Sequence, residues 1–268
     1  MPALEEDQIA AGGRSLLCEA ATQQKGHGAM TGRAGQVTAE LLRSIPLFNG
    51  ISDEACLQLA AAATRRELAA RGIFFNEGDR PAHLHIVTRG SAELFSEHDE
   101  RYCTLTVVPA VAPLALYSIL LDRNPLSARV LEPSEIIAVP AALVIDLCGR
   151  DASFSKRVIY ALASESHELI EDFKSHRLRS TIERVAHWML RGDRRSGDTG
   201  RIVIPFDKRV LASYLGMAPE HLSRSFHVLA SAGVEVHRRT VTLSDRAALS
   251  EAAGMDVPDR FLQPPKKT

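Results

Sequence analysis

The sequence of 268 residues contains no apolar run close to the roughly 20 residues that a membrane-spanning helix needs. Its N-terminus also lacks a basic region followed by an apolar core, so no signal peptide is predicted. We therefore expect a cytoplasmic protein that makes no contact with the membrane.

Cysteine is scarce. The four cysteines are Cys18, Cys56, Cys103 and Cys148, and their spacing is not that of zinc ligands or of a small disulfide scaffold. Such usage is typical of a protein in the reducing cytoplasm. No metal site is predicted.

Motifs of catalysis are missing as well. The sequence has no nucleophile elbow, Walker loop, dinucleotide fingerprint or His-Glu-x-x-His pattern. These absences argue against an enzyme.

The net charge of −1 hides an uneven distribution of charge along the chain. Between Lys174 and Arg246 there are 14 Lys and Arg against 7 Asp and Glu, which leaves +7 there and −8 elsewhere. A basic C-terminal part indicates a polyanionic partner. A surface that is merely unevenly charged is the alternative.

Composition and pattern divide the chain into five segments. With 45% hydrophobic residues it is typical of a globular protein. Short strands separated by turns, from Gly72 to Pro140, predict a small barrel or jelly roll. The expected segments are a flexible tail (1–36), a β-strand domain (37–150), a long helix (151–178), a C-terminal domain (179–250) and a second tail (251–268).

The long helix carries apolar residues at a spacing of seven. Two interleaved heptad series predict the seam of a two-stranded coiled coil, and hence a homodimer. The alternative is one buried face packed on the barrel. The predicted dimer residues are Ile159, Leu162, Ser166, Leu169 and Phe173.

Two helices with a very short connection are predicted between Asp207 and Ala230. The first begins at Asp207 and ends at Leu215, and Gly216 supplies a residue that tolerates positive φ. Pro219 suits the first position of the second helix, because its own φ is fixed.

The second helix is expected to bury Leu222, Phe226 and Leu229, which leaves polar residues facing outward near its start. A two-stranded wing is predicted over 234–243. This order is typical of a winged helix-turn-helix, although generic helical hairpins look similar.

The stretch from Leu215 to Arg224 resembles the recognition element of the CRP/FNR superfamily of transcription regulators. Glu220, Ser223 and Arg224 match the Glu-x-x-Ser-Arg signature of its FNR branch. The resemblance covers roughly residues 40–246 and includes Asn76–Gly78, Val87–Gly90, Ala128–Glu132 and Val139–Pro140, at matching spacing.

The resemblance implies an α+β fold: an N-terminal cyclic-nucleotide-binding-like β-roll, a dimerisation helix and a C-terminal winged helix-turn-helix. It further implies a dimeric regulator that binds double-stranded DNA and controls transcription by RNA polymerase. Activation is usual in the family, and repression is equally compatible. The implied signal is oxygen, nitric oxide or a redox change.

The chemistry of the three signature residues agrees with base reading. An arginine such as Arg224 offers two donors to guanine O6 and N7, and a glutamate such as Glu220 accepts from cytosine N4. They are four residues apart, so they share a helix face and are placed to read one G·C pair. Ser223 suits a neighbouring thymine. The resemblance implies TTGAT or TTGAC half-sites, and an ordinary surface ion pair is the alternative.

Four basic residues are better interpreted as phosphate contacts, which position a protein without specifying sequence. They are Lys208, Arg209, Arg238 and Arg239.

The effector is not identified by the sequence. Cyclic AMP is argued against, because Val111–Ala115 lacks the Gly-Glu pair of the family's nucleotide receptors and Asn124-Pro125 stands in place of their Arg-Ser. A buried phosphate without a cation would be costly. Arg129 corresponds instead to a structural arginine of the family.

A 4Fe-4S cluster is argued against, because Cys18 stands alone and Ile137 occupies the position of the fourth cysteine. Haem stays open, with Met30, His83, His85 and Cys103 as conceivable ligands. Cys103 and Cys148 are expected in apolar surroundings, where a raised thiol pKa would make them inert.

A different class of function also stays open. The chain would then be a β-roll ligand-binding module whose winged helix mediates protein contacts only. It would show no sequence-specific DNA binding.

Overall fold

A computed structural model of the protein describes residues 35–99, 101–204 and 206–254. They belong to the larger of the two units into which the chain divides, Thr31–Thr268. Cys18, Met30 and most of the two predicted tails lie outside the described residues.

Two short helices precede most of the strands. Helix α1 spans Ala39–Arg43 and helix α2 spans Asp53–Ala62. A serine followed by Asp53 and Glu54 predicts an N-cap at Ser52. The Ser52 hydroxyl accepts a hydrogen bond of 3.2 Å from the amide of Ala55, which confirms this prediction.

Nine of the described strands form the two antiparallel sheets of the β-roll. The orders are β1-β2-β9-β4-β7 and β3-β8-β5-β6. Strand β2 was not predicted, because its sequence Thr-Arg-Arg-Glu-Leu does not alternate apolar with polar residues. The strands are β1 Gly35–Gln36, β2 Thr64–Leu68, β3 Ile73–Phe75, β4 His83–Arg89, β5 Ala92–His98, β6 Arg101–Val108, β7 Ala112–Leu114, β8 Ser127–Val130 and β9 Ser134–Pro140.

Arg129 has the structural role that the sequence predicts. Its Nε donates a hydrogen bond of 2.6 Å to the fully buried carboxylate of Glu93. Its guanidinium lies 4.5 Å from the centroid of the Phe95 ring. Burial, together with a hydrogen bond to Glu93, raises the pKa of Tyr102 to about 12. This network pins β8 to β5 and β6.

Two helices follow the last strand of the β-roll, α3 (Ala141–Arg150) and α4 (Ala152–Leu178). The long helix α4 was predicted and α3 was not. Helix α4 begins against the β-roll core, where the ring of Phe154 stacks on that of Phe48 with centroids 5.9 Å apart.

The C-terminal domain is a winged helix-turn-helix with a three-stranded sheet of order β10-β12-β11. The predicted wing is present, joined by β10, and α8 was not predicted. Its elements are α5 Thr181–Arg195, β10 Arg201–Val203, α6 Lys208–Tyr214, α7 Pro219–Leu229, β11 Val234–His237, β12 Thr240–Leu243 and α8 Arg246–Ala252.

The polar, glycine-containing stretch from Gly192 to Gly200 predicts that helix α5 ends at Arg191, and this prediction is wrong. The helix continues through Gly192 to Arg195. Asp193, which follows Gly192 within the helix, is buried. It accepts hydrogen bonds from the Gly200 amide at 2.7 Å and from Arg246 Nε at 2.6 Å. These tertiary contacts outweigh the low helix propensity of glycine.

Among the described helices, none is long and apolar enough to cross a membrane.

Candidate DNA interface

Helices α6 and α7 meet through a tight turn, as predicted. Gly216 adopts φ +63°, and the amide of Met217 donates a hydrogen bond of 2.9 Å to the carbonyl of Ala212. Ala212 is fully buried, so the two helices approach closely. This is the geometry of a helix-turn-helix.

Helix α7 divides cleanly into a buried and an exposed face. Leu222, Phe226 and Leu229 are buried, as the sequence predicts. The signature residues near the start of the helix are all exposed: Glu220, Ser223 and Arg224.

The side chains of Glu220 and Arg224 are available for a ligand. Over the part of the chain that the structure describes, neither of them forms an ion pair, so the alternative interpretation as a surface ion pair finds no support. The Ser223 hydroxyl donates a hydrogen bond of 3.1 Å to the Pro219 carbonyl. Because the hydroxyl proton is engaged in this way, Ser223 offers a thymine its apolar Cβ, which can contact the C5-methyl group.

The start of α7 lacks a side-chain cap, because Ala218 occupies the N-cap position. The first amide groups of the helix therefore carry the positive end of the helix dipole without a side-chain acceptor. Such a helix start favours a nearby anionic group.

The predicted phosphate contacts fall on two elements. Lys208 and Arg209 are exposed at the start of α6, and Lys208 Nζ lies 5.5 Å from the centroid of the Phe226 ring, beside α7. Arg238 and Arg239 are exposed in the turn between β11 and β12.

Helix α4 and the C-terminal domain share a cluster of charged and polar side chains that no sequence pattern predicts. Asp172 Oδ1 accepts from Arg191 Nη1 at 2.6 Å, and its Oδ2 accepts from the Tyr214 hydroxyl at 2.7 Å. Arg195 pairs with Glu168 at 2.7 Å. Because these partners lie 19 to 42 residues apart in the sequence, no local pattern announces them.

A second contact joins the helix-turn-helix to the β-roll. The backbone amide of Thr104 in β6 donates a hydrogen bond of 2.9 Å to the hydroxyl of Ser213 in α6. The side chain of Val107, also in β6, packs against the C-terminal core.

Of the conceivable haem ligands, Met30 lies outside the described residues, and the rings of His83 and His85 lie side by side with centroids 6.1 Å apart. Cys103 is not brought to them. His83 and His85 lie on β4, in the five-stranded sheet, whereas Cys103 lies on β6, in the other sheet. The His85 ring packs near Phe74 and Phe75, with centroids 5.8 and 5.7 Å away. Among the described residues, no group of three or more His, Cys, Asp or Glu is arranged to hold a metal ion.

The expectation for Cys103 is wrong in one respect. Its side chain is exposed, because the residue faces outward on β6, rather than lying in apolar surroundings. Burial raises the pKa of the Cys148 thiol, as expected.

The C-terminal domain matches a known family. Residues 183–252 match the Crp-like helix-turn-helix domain. No curated protein sequence matches this chain.

Several solved structures with the same fold match this chain over nearly their whole length. FixK2 from Bradyrhizobium japonicum is 19% identical with a TM-score of 0.66, and the match covers 71% of this chain and 96% of FixK2. A putative regulator of the crp/fnr family from Eubacterium rectale is 17% identical with a TM-score of 0.60, covering 78% and 98%. The c-di-GMP responsive regulator CLP of Xanthomonas campestris is 17% identical with a TM-score of 0.56, covering 72% and 99%.

Proposed function

We propose that this chain is a transcription regulator of the CRP/FNR type and not an enzyme, and that it reads a palindromic operator with TTGAT or TTGAC half-sites as a homodimer. The observation that carries this proposal is the exposed, unpaired placement of Glu220 and Arg224 on one face of α7. Among the described residues, no protein group competes for them.

The proposed reading of the G·C pair follows from the donors and acceptors of that face. Arg224 donates to guanine O6 and N7, while Glu220 accepts from the cytosine N4 amino group. Ser223 contacts the adjacent thymine. Lys208 and Arg209 on α6, together with the two wing arginines, bind phosphates and set the register.

The proposed dimer is supported by the exposed apolar surface of helix α4. Ile159 and Phe173 are 63% and 66% exposed, and Leu169 is 45% exposed. Leu162 packs in part against the β-roll core, so its share of the seam is small. Tyr160 and Ile170, which the heptad pattern does not include, are also exposed on this helix. Apolar area of this kind is stabilised by a second copy of the helix.

Two-fold symmetry of the dimer demands a palindrome, with recognition helices in successive major grooves about 34 Å apart. RNA polymerase is the proposed protein partner on DNA. The proposed location is the cytoplasm, which contains both DNA and RNA polymerase. The proposed signal is oxygen, nitric oxide or a redox change, as the resemblance to the CRP/FNR superfamily implies.

A fluorescence anisotropy titration tests this function against the protein-contact alternative. The purified protein is titrated with a TTGAT-N4-ATCAA duplex and with a scrambled duplex, at several salt concentrations, aerobically and anaerobically. We expect tighter binding to the operator, and affinity that falls steeply with salt because lysine and arginine release counterions from phosphates. Equal, salt-insensitive affinity under both atmospheres favours the alternative.

A further inference from the structure

An arginine of the β-roll lies beside the candidate DNA interface. Arg71, in the turn between strands β2 and β3, extends its guanidinium to the start of helix α6, where its Nη2 lies 3.4 Å from Oδ2 of Asp207. The two residues are 136 positions apart in the sequence and belong to different domains. Asp207 immediately precedes Lys208 and Arg209, the proposed phosphate contacts of α6.

The backbone that carries Arg71 is held firmly in place. The residue adopts φ +68° without being glycine. Its amide donates a hydrogen bond of 2.9 Å to the Val130 carbonyl, and the Val130 amide donates one of 2.9 Å to the Gly72 carbonyl, so the turn is fastened to strand β8. A left-handed residue of this kind persists where the surrounding structure determines it, and such residues cluster at functional sites.

Other contacts keep the β-roll alongside the helix-turn-helix. The Thr104 amide donates to the Ser213 hydroxyl of α6 at 2.9 Å. Val107 on β6 and Leu131 after β8 pack against the hydrophobic core of the C-terminal domain. Arg71 therefore faces the start of α6 as part of an interface between the two domains.

Asp207 creates a charge problem for DNA binding, because its carboxylate stands next to two residues proposed to bind phosphates. It occupies the N-cap position of α6, yet its side chain accepts no capping hydrogen bond and is 62% exposed. Capping therefore does not account for the carboxylate. Arg71 neutralises it.

The guanidinium of Arg71 can bind a second anion as well. Its side chain is 81% exposed, and within the described ranges its one ion pair is the contact with Asp207. A guanidinium has five N–H donors in a planar fork, which suits both carboxylates and phosphates. Donors that Asp207 does not use face solvent beside Lys208.

We propose that Arg71 binds a phosphate of the operator next to those bound by Lys208 and Arg209, so that the β-roll takes part in the DNA interface. The partner is the sugar–phosphate backbone and not a base, because a lone exposed arginine beside phosphate contacts positions a protein without reading sequence. This inference rests on the proposed binding of DNA, but it does not depend on base reading by Glu220 and Arg224.

The salt dependence of DNA affinity tests the contact. Wild type and Arg71→Ala are titrated by anisotropy against the TTGAT-N4-ATCAA duplex with flanks of about one helical turn on each side. Each phosphate contact contributes about 0.9 to the slope of log affinity against log salt, so two copies should lower its magnitude by about 1.8 and weaken binding at least about 10-fold. Arg71→Lys should retain most of the slope. Arg80→Ala, at an exposed position in the turn between β3 and β4, is the matched control and should behave as the wild type.

Asp207→Asn separates a phosphate contact from a purely structural ion pair. The substitution removes the partner of Arg71 and keeps a residue that suits an N-cap. We expect operator affinity to rise, because a negative charge beside the phosphates is lost and Arg71 is released for DNA. If Arg71 acts by joining the two domains, Asp207→Asn must weaken the operator as much as Arg71→Ala does.

Two results overturn the proposal: a salt slope that is unchanged in Arg71→Ala, or equal weakening by Arg71→Ala and Asp207→Asn. Circular dichroism verifies the fold of each variant, and Arg71→Gln, which keeps a long polar side chain, replaces the alanine variant if that variant does not fold. Titration of a duplex with inverted G·C pairs distinguishes this failure from that of base reading. A wild type without sequence preference, whose slope still falls in Arg71→Ala, refutes base reading by Glu220 and Arg224 and supports the Arg71 contact.

Discussion

The hydroxyl of Tyr214 donates a hydrogen bond of 2.7 Å to Asp172 Oδ2 and so ties the first helix of the helix-turn-helix to the long helix. Arg191 binds the other carboxylate oxygen at 2.6 Å, and both of these ionic side chains are only 15% exposed. Burial, then the negative charge of Asp172, raises the pKa of Tyr214, so the phenol remains a neutral donor. The orientation of α6 relative to α4 therefore depends on the hydrogen bond between Tyr214 and Asp172.

Removing that hydroxyl should destabilise the protein measurably. Tyr214→Phe deletes one hydrogen bond to a charged, buried acceptor, and the expected loss is about 1.5–3 kcal/mol in the free energy of unfolding. Urea denaturation measures it. Glu40→Gln is the control, because Glu40 is exposed on α1 and lies outside the proposed dimer surface. Equal stability of the two variants would show that the pair does not contribute.

Two glycines in connections between strands of the β-roll should respond differently to substitution by alanine. Gly90 and Gly78 have similar φ values, +89° and +85°. A Cβ on Gly90 would lie 2.1 Å from Ser134 Oγ and 3.0 Å from Ser134 Cα, whereas a Cβ on Gly78 meets nothing within 4 Å.

Both substitutions carry the cost of a left-handed backbone, about 1–2 kcal/mol. Gly90→Ala should cost about 1–3 kcal/mol more, because backbone must move to relieve the overlap. Thermal unfolding of the two variants gives the difference. If Gly78→Ala is as damaging as Gly90→Ala, close packing at Ser134 is not the reason for glycine there.

The buried Glu165 should make stability fall with rising pH. Its carboxyl holds a proton up to about pH 7 in the folded state, against an ordinary pKa of 4.5. Between these values the folded state binds more protons than the unfolded chain, so the contribution is present below the unfolded pKa and lost as pH rises through the folded one. Glu165→Gln stays neutral at every pH. Its free energy of unfolding should therefore rise relative to that of the wild type between pH 5 and 8. If the free energies of unfolding of the wild type and of Glu165→Gln change with pH in parallel, the raised pKa of Glu165 is refuted. Glu40→Gln is the control, and its curve should run parallel to that of the wild type.

The proposed dimer should depend on Phe173. Phe173→Glu places a charge at each copy of an apolar seam, so analytical ultracentrifugation should show monomers. Operator affinity should then fall about 100-fold, because each half-site is bound without the avidity of the second. Leu57→Glu, at a position on α2 that is 60% exposed, is the control and should remain dimeric. A Phe173→Glu variant that still sediments as a dimer would move the interface elsewhere.

The local features of the fold were predictable because short-range chemistry determines them. Ser52 as a cap, the turn at Gly216 and the helix start at Pro219 each follow from one residue type in one position. The apolar face of α7 follows from helical periodicity. The same reasoning failed at Gly192, where contacts of Asp193 with distant groups extend the helix.

The candidate DNA site could be predicted from the sequence for the same reason. Glu220 and Arg224 lie four residues apart on one helix, so their common face follows from spacing alone. The cluster around Asp172 and the surroundings of the Glu165 carboxyl were not predictable. They form where α4 meets α5, α6 and the segment that follows β7, and no local pattern encodes such a juxtaposition.

The most direct test of the central claim inverts the G·C pair in both half-sites of the TTGAT-N4-ATCAA duplex and measures affinity by anisotropy. The wild type should lose about 1–3 kcal/mol for each inverted pair. Arg224→Ala should bind the operator weakly and lose most of its preference over the inverted duplex, whereas Lys208→Ala should weaken both by the same factor and keep the preference. Equal affinity of the wild type for both duplexes would contradict base reading by Glu220 and Arg224.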